Sequence, residues 1–175
     1  KEGFHMPIYS LGIFDYLEKG KIEAGDILQE NIVTIAGNLS KDKAGYIYKI
    51  PENAVRYHLY GPNLEEKEFG KNIEYKGSFQ PDILPKVLSG KFGLVWDGDS
   101  IDTCAGQYGE YMRYNDPHKT SLYLACGIPV IVWNKAAIAD FIQKNQVGIT
   151  VGSLNELSDT IQNMPDEQYK VLKKN

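Results

Sequence analysis

Cysteine is scarce in this sequence: Cys104 and Cys126 are its only two cysteines among 175 residues. Two cysteines do not make a disulfide framework, and neither has a partner at the spacing of metal ligands. The sequence therefore does not resemble a disulfide-stapled secreted domain or a zinc module. A reducing, cytoplasmic setting is the expectation.

Long apolar runs and an excess of positive charge are also missing. No run approaches the roughly 20 residues of a membrane span, and the first residues lack the features of a signal peptide. The formal net charge is -4 without a stripe of Lys and Arg, which argues against a nucleic-acid partner. With 42% hydrophobic and 24% charged residues, the chain has the composition of one soluble globular domain.

Two common nucleotide motifs are absent as well. The first predicted strand ends in Gly37-Asn38-Leu39, which lacks the G-x-G-x-x-G pattern of dinucleotide-binding folds. The chain contains no Walker sequence either. Nicotinamide and P-loop chemistries are therefore poorly supported.

What the sequence does contain is an alternation of buried strands and helices. Short apolar or alternating runs predict the strands, and a capping box at Ser153–Glu156 predicts one of the later helices. This pattern is typical of an α/β fold, a Rossmann-like parallel sheet with helices on both faces, whose ligands bind beyond the carboxyl ends of the strands. The predicted strands are residues 32–37, 55–60, 73–76, 92–96, 130–133 and 147–151.

The segment 115–121 predicts a helix that opens towards an anion. Asp116 is a suitable N-cap, Pro117 suits the first helical position, and Gly127 suits the left-handed end of the helix. Free N–H groups and the helix dipole favour phosphate at such a start, with Lys119 adding charge. An ordinary capped helix with a solvated lysine is the alternative.

Two further loops are candidates for the same ligand. The glycine-bearing loop of residues 37–41 lets a ligand approach the backbone, and Lys41 could reach a phosphate. Phe79 follows the third predicted strand and could stack on a base, or it could pack under its own loop. The polar stretch 100–115 is predicted to be one long loop.

Asp97-Gly98-Asp99 matches the short D-x-D pattern with which some sugar transferases hold a divalent ion. The surrounding residues do not extend it to an EF-hand, since Asp102 stands where the invariant glycine belongs. A strand-end turn, or a carboxylate that accepts hydrogen bonds from sugar hydroxyls, is the interpretation favoured over a metal site. His118 has no nucleophile motif around it, so a positioning role is preferred and no catalytic residue is assigned.

Four segments, 36–41, 75–81, 93–98 and 115–125, together resemble one family. They are similar to the C-terminal, nucleotide-sugar-binding half of GT-B glycosyltransferases, in the branch of bacterial galactofuranosyltransferase-like enzymes and the glucosyltransferases of serine-rich adhesins. The match extends over roughly residues 31–165, and the Asn-x-Pro-His-Lys-Thr-Ser-Leu-Tyr-Leu-Ala block that begins at Asn115 is specific.

The resemblance implies a donor of the UDP-glucose or UDP-galactofuranose type, from which a hexose is transferred to a glycan or glycoprotein without a metal or other cofactor. Uracil would lie near Phe79, and Lys41 and Lys119 would neutralise the diphosphate. The alternatives are a non-catalytic sugar-nucleotide-binding or scaffolding module and a metal-dependent D-x-D transferase. The substrate-binding residues so implied are Gly37, Asn38, Lys41, Phe79, Asp97, Asn115, His118, Lys119, Thr120 and Ser121.

The resemblance also divides the chain. Residues 1–30 are expected to be a linker or hinge strap from a missing N-terminal acceptor domain, and residues 31–175 the donor domain, inactive alone. Peripheral association of the parent protein with the inner face of the membrane and a homo-oligomer are left open. Many retaining GT-B enzymes carry two glutamates where this chain has Tyr114 and Leu122, so the donor sugar and the stereochemistry are not assigned.

Overall fold

The computed structural model of the chain describes residues 12–16, 31–66 and 68–175. Within them, six strands form one sheet in the order β3-β2-β1-β4-β5-β6, and every neighbouring pair is parallel. The strands are β1 Ile32–Ala36, β2 Arg56–Tyr60, β3 Ile73–Gly77, β4 Phe92–Val95, β5 Val130–Trp133 and β6 Gly148–Val151.

Seven α-helices connect and cover these strands within the described part of the chain. They are α1 Lys41–Ala44, α2 Leu84–Val87, α3 Gly106–Tyr111, α4 His118–Ala125, α5 Ala139–Asn145, α6 Leu157–Gln162 and α7 Asp166–Lys174. Short 3₁₀ segments follow α1 at Gly45–Lys49 and precede α6 at Leu154–Glu156. None of these helices is long and apolar enough to cross a membrane.

The predicted Rossmann-like sheet is confirmed. All strands lie within a residue or two of the predicted positions. The clearest are β1, β4 and β5, whose apolar runs are buried along their whole length. From β1 the chain winds outwards to β3 and then returns to β4 on the other side of β1. Because crossovers between parallel strands are right-handed as a rule, connections that run in opposite directions from β1 place their helices on opposite faces of the sheet. The reversal of strand order creates a switch point between β1 and β4.

Glycines allow the loops beyond β1 and β2 to approach one another. The N–H of Gly37 donates to the carbonyl of Tyr60 at 2.9 Å. Gly61 has φ +144°, and a Cβ there would overlap the carbonyl oxygen of Gly37. Only glycine at position 61 permits this contact at the carboxyl edge of the sheet.

Several predicted boundaries differ from the structure. The predicted loop 100–115 contains α3, and the segment between β3 and β4 contains only the four-residue helix α2. The cluster of lysines at the end of the sequence belongs to α7, which buries Tyr169 and Leu172. The capping box of Ser153 and Glu156 is present as predicted. Of the predicted linker, residues 1–30, all but 12–16 lie outside the described residues.

Candidate functional site

A cavity of about 790 Å³ opens at the switch point between β1 and β4. It lies at the carboxyl ends of these strands, where parallel α/β sheets bind ligands. Six of the predicted substrate-binding residues line this cavity together: Gly37, Asn38, Asp97, Asn115, His118 and Lys119. The alternation of strands and helices thus predicted where these separate segments meet.

Two lysines converge on Asp97 in the wall of this cavity. The Lys119 Nζ lies 2.6 Å from Asp97 Oδ1 and also donates to the carbonyl of Trp96 at 2.8 Å. The Lys43 Nζ lies 3.2 Å from the other oxygen of the same carboxylate, Oδ2. Asp97 is only 4% exposed. Two ammonium groups around one carboxylate leave one formal positive charge beside the cavity.

Lys41 lies outside this cavity, whereas Lys43, which sequence reasoning missed, lines it. The chain turns helical at Lys41, and residues two apart on an α-helix project about 200° apart. The Lys41 ammonium therefore points away, 3.8 Å from Glu65 and 5.9 Å from the ring centre of Tyr48. The sequence prediction treated residues 37–41 as a loop and so could not tell that Lys41 and Lys43 project in different directions. A helix predicted to begin after Ser40 would have separated the two lysines.

The first turn of α4 forms the opposite wall. Pro117 is the N-cap, and no side chain caps the helix, so the prediction that Asp116 is the cap is wrong. Because Pro117, His118 and Lys119 line the cavity, the positive end of the helix dipole lies at its wall. The left-handed Gly127 at the other end is confirmed, with φ +66°.

Residues 12–16 are fastened to this first turn. The N–H of Phe14 donates to Asp116 Oδ2 at 2.9 Å, and its carbonyl accepts from Ser121 Oγ at 2.5 Å. The Phe14 ring stacks on His118, with ring centres 4.8 Å apart and planes 9° apart. Ser121 therefore holds the chain rather than lining the cavity, and Phe14 becomes part of the cavity wall.

Thr120 and Phe79 also lie outside the cavity lining. Thr120 is fully buried within α4. Phe79 follows β3 and is 36% exposed, with its ring centre 6.2 Å from that of Tyr60. This partial exposure leaves part of the ring available for a ligand at the β3 side of the sheet.

Two buried tyrosines, Tyr46 and Tyr123, lie close to the cavity. The hydroxyl of Tyr123, on α4, accepts from the N–H of Ala36 at 2.6 Å and so ties the helix to the end of β1. Burial raises the pKa of Tyr123, and burial with the nearby Asp97 charge raises that of Tyr46. Both phenols therefore stay protonated and supply no charge to the cavity.

Several residues at this cavity were not among the predicted substrate-binding residues. Besides Lys43, they include four aromatic residues, Phe14, Tyr46, Tyr111 and Tyr114. Tyr111 and Tyr114 belong to the stretch predicted as a loop. The only sequence signal for either was that Tyr114 stands where many retaining GT-B enzymes carry a glutamate. Among residues 12–16, 31–66 and 68–175, no group of three or more His, Cys, Asp or Glu side chains is placed to hold a metal.

The fold and the cavity define a Rossmann-like domain with a ligand site at its switch point. A model of the family described as Glucosyltransferase 3-like, C-terminal domain, matches residues 33–175. This match covers most of the chain. The chain belongs to that family of glycosyltransferases.

Two curated relatives agree with this assignment. The chain is 43% identical over 171 residues to beta-1,6-galactofuranosyltransferase WbbI of Escherichia coli (strain K12), covering 96% of this chain and 50% of that protein. It is 33% identical over 118 residues to Glucosyltransferase 3 of Streptococcus gordonii, covering 67% of this chain and 34% of that protein. The chain thus spans half or less of the length of these relatives.

A solved structure shows the same fold. The crystal structure of a TarM mutant of S. aureus, in complex with fondaparinux, alpha-GlcNAc-glycerol and UDP, aligns with a TM-score of 0.53 at 20% sequence identity. The alignment covers 90% of this chain and 33% of that chain. The described sheet corresponds to one half of a GT-B fold.

Proposed function

We propose that this chain is the donor-binding domain of a hexosyltransferase that holds a UDP-sugar in the switch-point cavity. The observation that carries the proposal is the convergence of Lys43 and Lys119 beside the uncapped start of α4. Ammonium groups and helix N–H groups together are suited to a diphosphate. That the solved relative of this fold was crystallised with UDP supports the same ligand class.

The same groups supply a mechanism. When the sugar leaves, negative charge develops on the UDP diphosphate, and fixed cations stabilise this charge more than they stabilise the bound donor. Lys43 and Lys119 take the part that a metal ion has in other transferases. The acceptor, a glycan or a glycoprotein, is bound largely by a part of the protein beyond this chain.

Asp97 supports metal-independent binding. Both of its carboxylate oxygens already contact an ammonium group, at 2.6 Å and 3.2 Å. A divalent ion would have to displace a lysine from each oxygen. Asp99, the second acid of the D-x-D pattern, does not line the cavity. The pattern therefore fits a lysine-holding carboxylate better than a metal site.

Binding without metal is the direct test. The chain is expected to bind UDP equally well with and without EDTA, because its cations belong to the protein. Titration calorimetry in both conditions measures this. A strict requirement for Mn²⁺ or Mg²⁺ would overturn the proposed mechanism in favour of a metal-dependent one, and an absence of UDP binding in any condition would overturn the proposed ligand.

Phe79 is expected to stack on the uracil. Replacing Phe79 with alanine should weaken UDP binding by about 1–3 kcal/mol, the range for one base on one aromatic ring. The affinity for inorganic pyrophosphate, measured by the same calorimetry, should hardly change because pyrophosphate has no base. Equal losses for both ligands would show that Phe79 only packs its loop against Tyr60.

A further inference from the structure

Exposed aromatic rings border one side of the cavity. Tyr111 is 59% exposed and Tyr114 is 80% exposed, and both line the cavity. Large apolar rings left in water beside a polar cavity are typical of ligand sites, where they cover an apolar part of the ligand. The proposed diphosphate site gives these two rings no role, since they carry no cation for a phosphate.

The turn that carries these rings is anchored to the end of β5. The N–H of Ala137 donates to the carbonyl of Met112 at 2.9 Å. The Arg113 guanidinium lies 4.5 Å from the ring centre of Trp133, the last residue of β5. Met112 itself is fully buried. Tyr111 and Tyr114 thus stand on a fixed turn, on the β5 side of the switch point.

Phe79 lies on the other side of the switch point from the two tyrosines. It follows β3, which is separated from β1 by β2, whereas the tyrosine turn is fixed to β5, beyond β4. A nucleotide sugar carries one substituent at each end of its diphosphate. With the diphosphate beside Lys43 and Lys119 and the base towards Phe79, the sugar end faces the tyrosines.

We propose that Tyr111 and Tyr114 form a subsite for a hexose ring. This inference rests on the proposed function, because the diphosphate position sets the direction of the sugar. A hexose ring has one face rich in C–H groups, which a tyrosine ring can cover, and hydroxyl groups at its edge, which a phenol can hydrogen-bond. The hexose is either that of the donor or the reacting end of an acceptor glycan, and both present this chemistry.

The test compares four ligands by titration calorimetry: UDP, UDP-glucose, UDP-galactofuranose and, in the presence of saturating UDP, short hexose oligosaccharides. UDP binding by the unaltered chain tests the proposed function by itself. The substituted chains are Tyr114→Ala, Tyr111→Ala and, as the matched control that retains the ring, Tyr114→Phe.

For a donor subsite, Tyr114→Ala should weaken at least one UDP-hexose about tenfold while UDP itself is unchanged, and Tyr114→Phe should retain most of the affinity. For an acceptor subsite, the nucleotides should be unchanged and the oligosaccharide affinity should fall by a similar factor. Both outcomes support a hexose subsite and identify its source.

Two results would overturn the inference and leave the proposed function intact. An equal loss of UDP and UDP-hexose affinity in Tyr114→Ala would place the base or the diphosphate at the tyrosines. Unchanged affinity for all four ligands in both alanine variants would show that the rings contact no hexose. Circular dichroism of each variant verifies that the sheet is retained.

Discussion

Replacing Lys119 with methionine is expected to weaken UDP binding by about 10- to 150-fold. A hydrogen bond to a charged group contributes about 1.5–3 kcal/mol, and each 1.4 kcal/mol corresponds to a factor of ten. Lys119 combines this charge with a place in the first turn of α4. Methionine keeps most of the apolar stem, so packing changes little. Titration calorimetry with UDP measures the loss, and uridine, which has no phosphate, should bind as before.

The ion pair of Lys119 with Asp97 allows a sharper control. In Lys119→Met alone, the Asp97 carboxylate loses its partner at 2.6 Å and could repel a phosphate. The double variant Lys119→Met with Asp97→Asn removes that repulsion. If the double variant still binds UDP weakly, the lysine contact with the diphosphate is responsible. Full recovery would instead assign the loss to the uncovered carboxylate, and normal binding by the single variant would contradict the phosphate site.

The second large effect is on stability. Gly93→Ala is expected to lower the free energy of unfolding by about 3 kcal/mol, the upper part of the range for overpacked cores. Gly93 lies in β4, and a Cβ there would overlap the fully buried ring of Tyr123. The ring cannot move aside freely because its hydroxyl holds the N–H of Ala36. Urea denaturation measures the change.

Gly12→Ala is the matched control for this prediction. A Cβ at Gly12 would lie 3.6 Å from the Phe141 ring, which is ordinary van der Waals contact. Its free energy of unfolding should therefore change by less than about 0.5 kcal/mol. If both variants unfold at the same urea concentration as the unaltered chain, the contact between Gly93 and Tyr123 does not limit the packing of the sheet.

The centre of the sheet could be predicted because β1, β4 and β5 are short, continuous apolar runs that end at a glycine or a polar residue. Such runs are typical of parallel strands buried on both faces. The helix α3 could not be predicted in the same way, since Gly106 and Gly109 weaken helix propensity. At Gly109 a Cβ would overlap the backbone of Cys104, so a tertiary contact requires glycine inside this helix.

The site was predictable in position and less so in its side chains. The rule that ligands bind at the carboxyl ends of parallel strands brought Asn38, Asp97 and Lys119 together from three separate segments. This rule could not predict which of Lys41 and Lys43 faces the cavity, because the direction of each side chain depends on where α1 begins. The contacts of Asp97 with Lys43 and Lys119 could not be predicted either, since no local sequence pattern links these three positions.

The attachment of residues 12–16 to the first turn of α4 predicts how easily this part of the domain detaches from the rest. Phe14 is hydrogen-bonded to Asp116 and Ser121, and the Tyr16 hydroxyl donates to the carbonyl of Pro81. These hydrogen bonds are exposed or half-buried. Only the partly buried Ile13 and Tyr16 of this segment pack against the core. Detaching it therefore uncovers little apolar surface, and the Phe14 amide should exchange its hydrogen through a small local opening. The amide of Ile35, in the buried centre of the sheet, should exchange only when the whole domain unfolds.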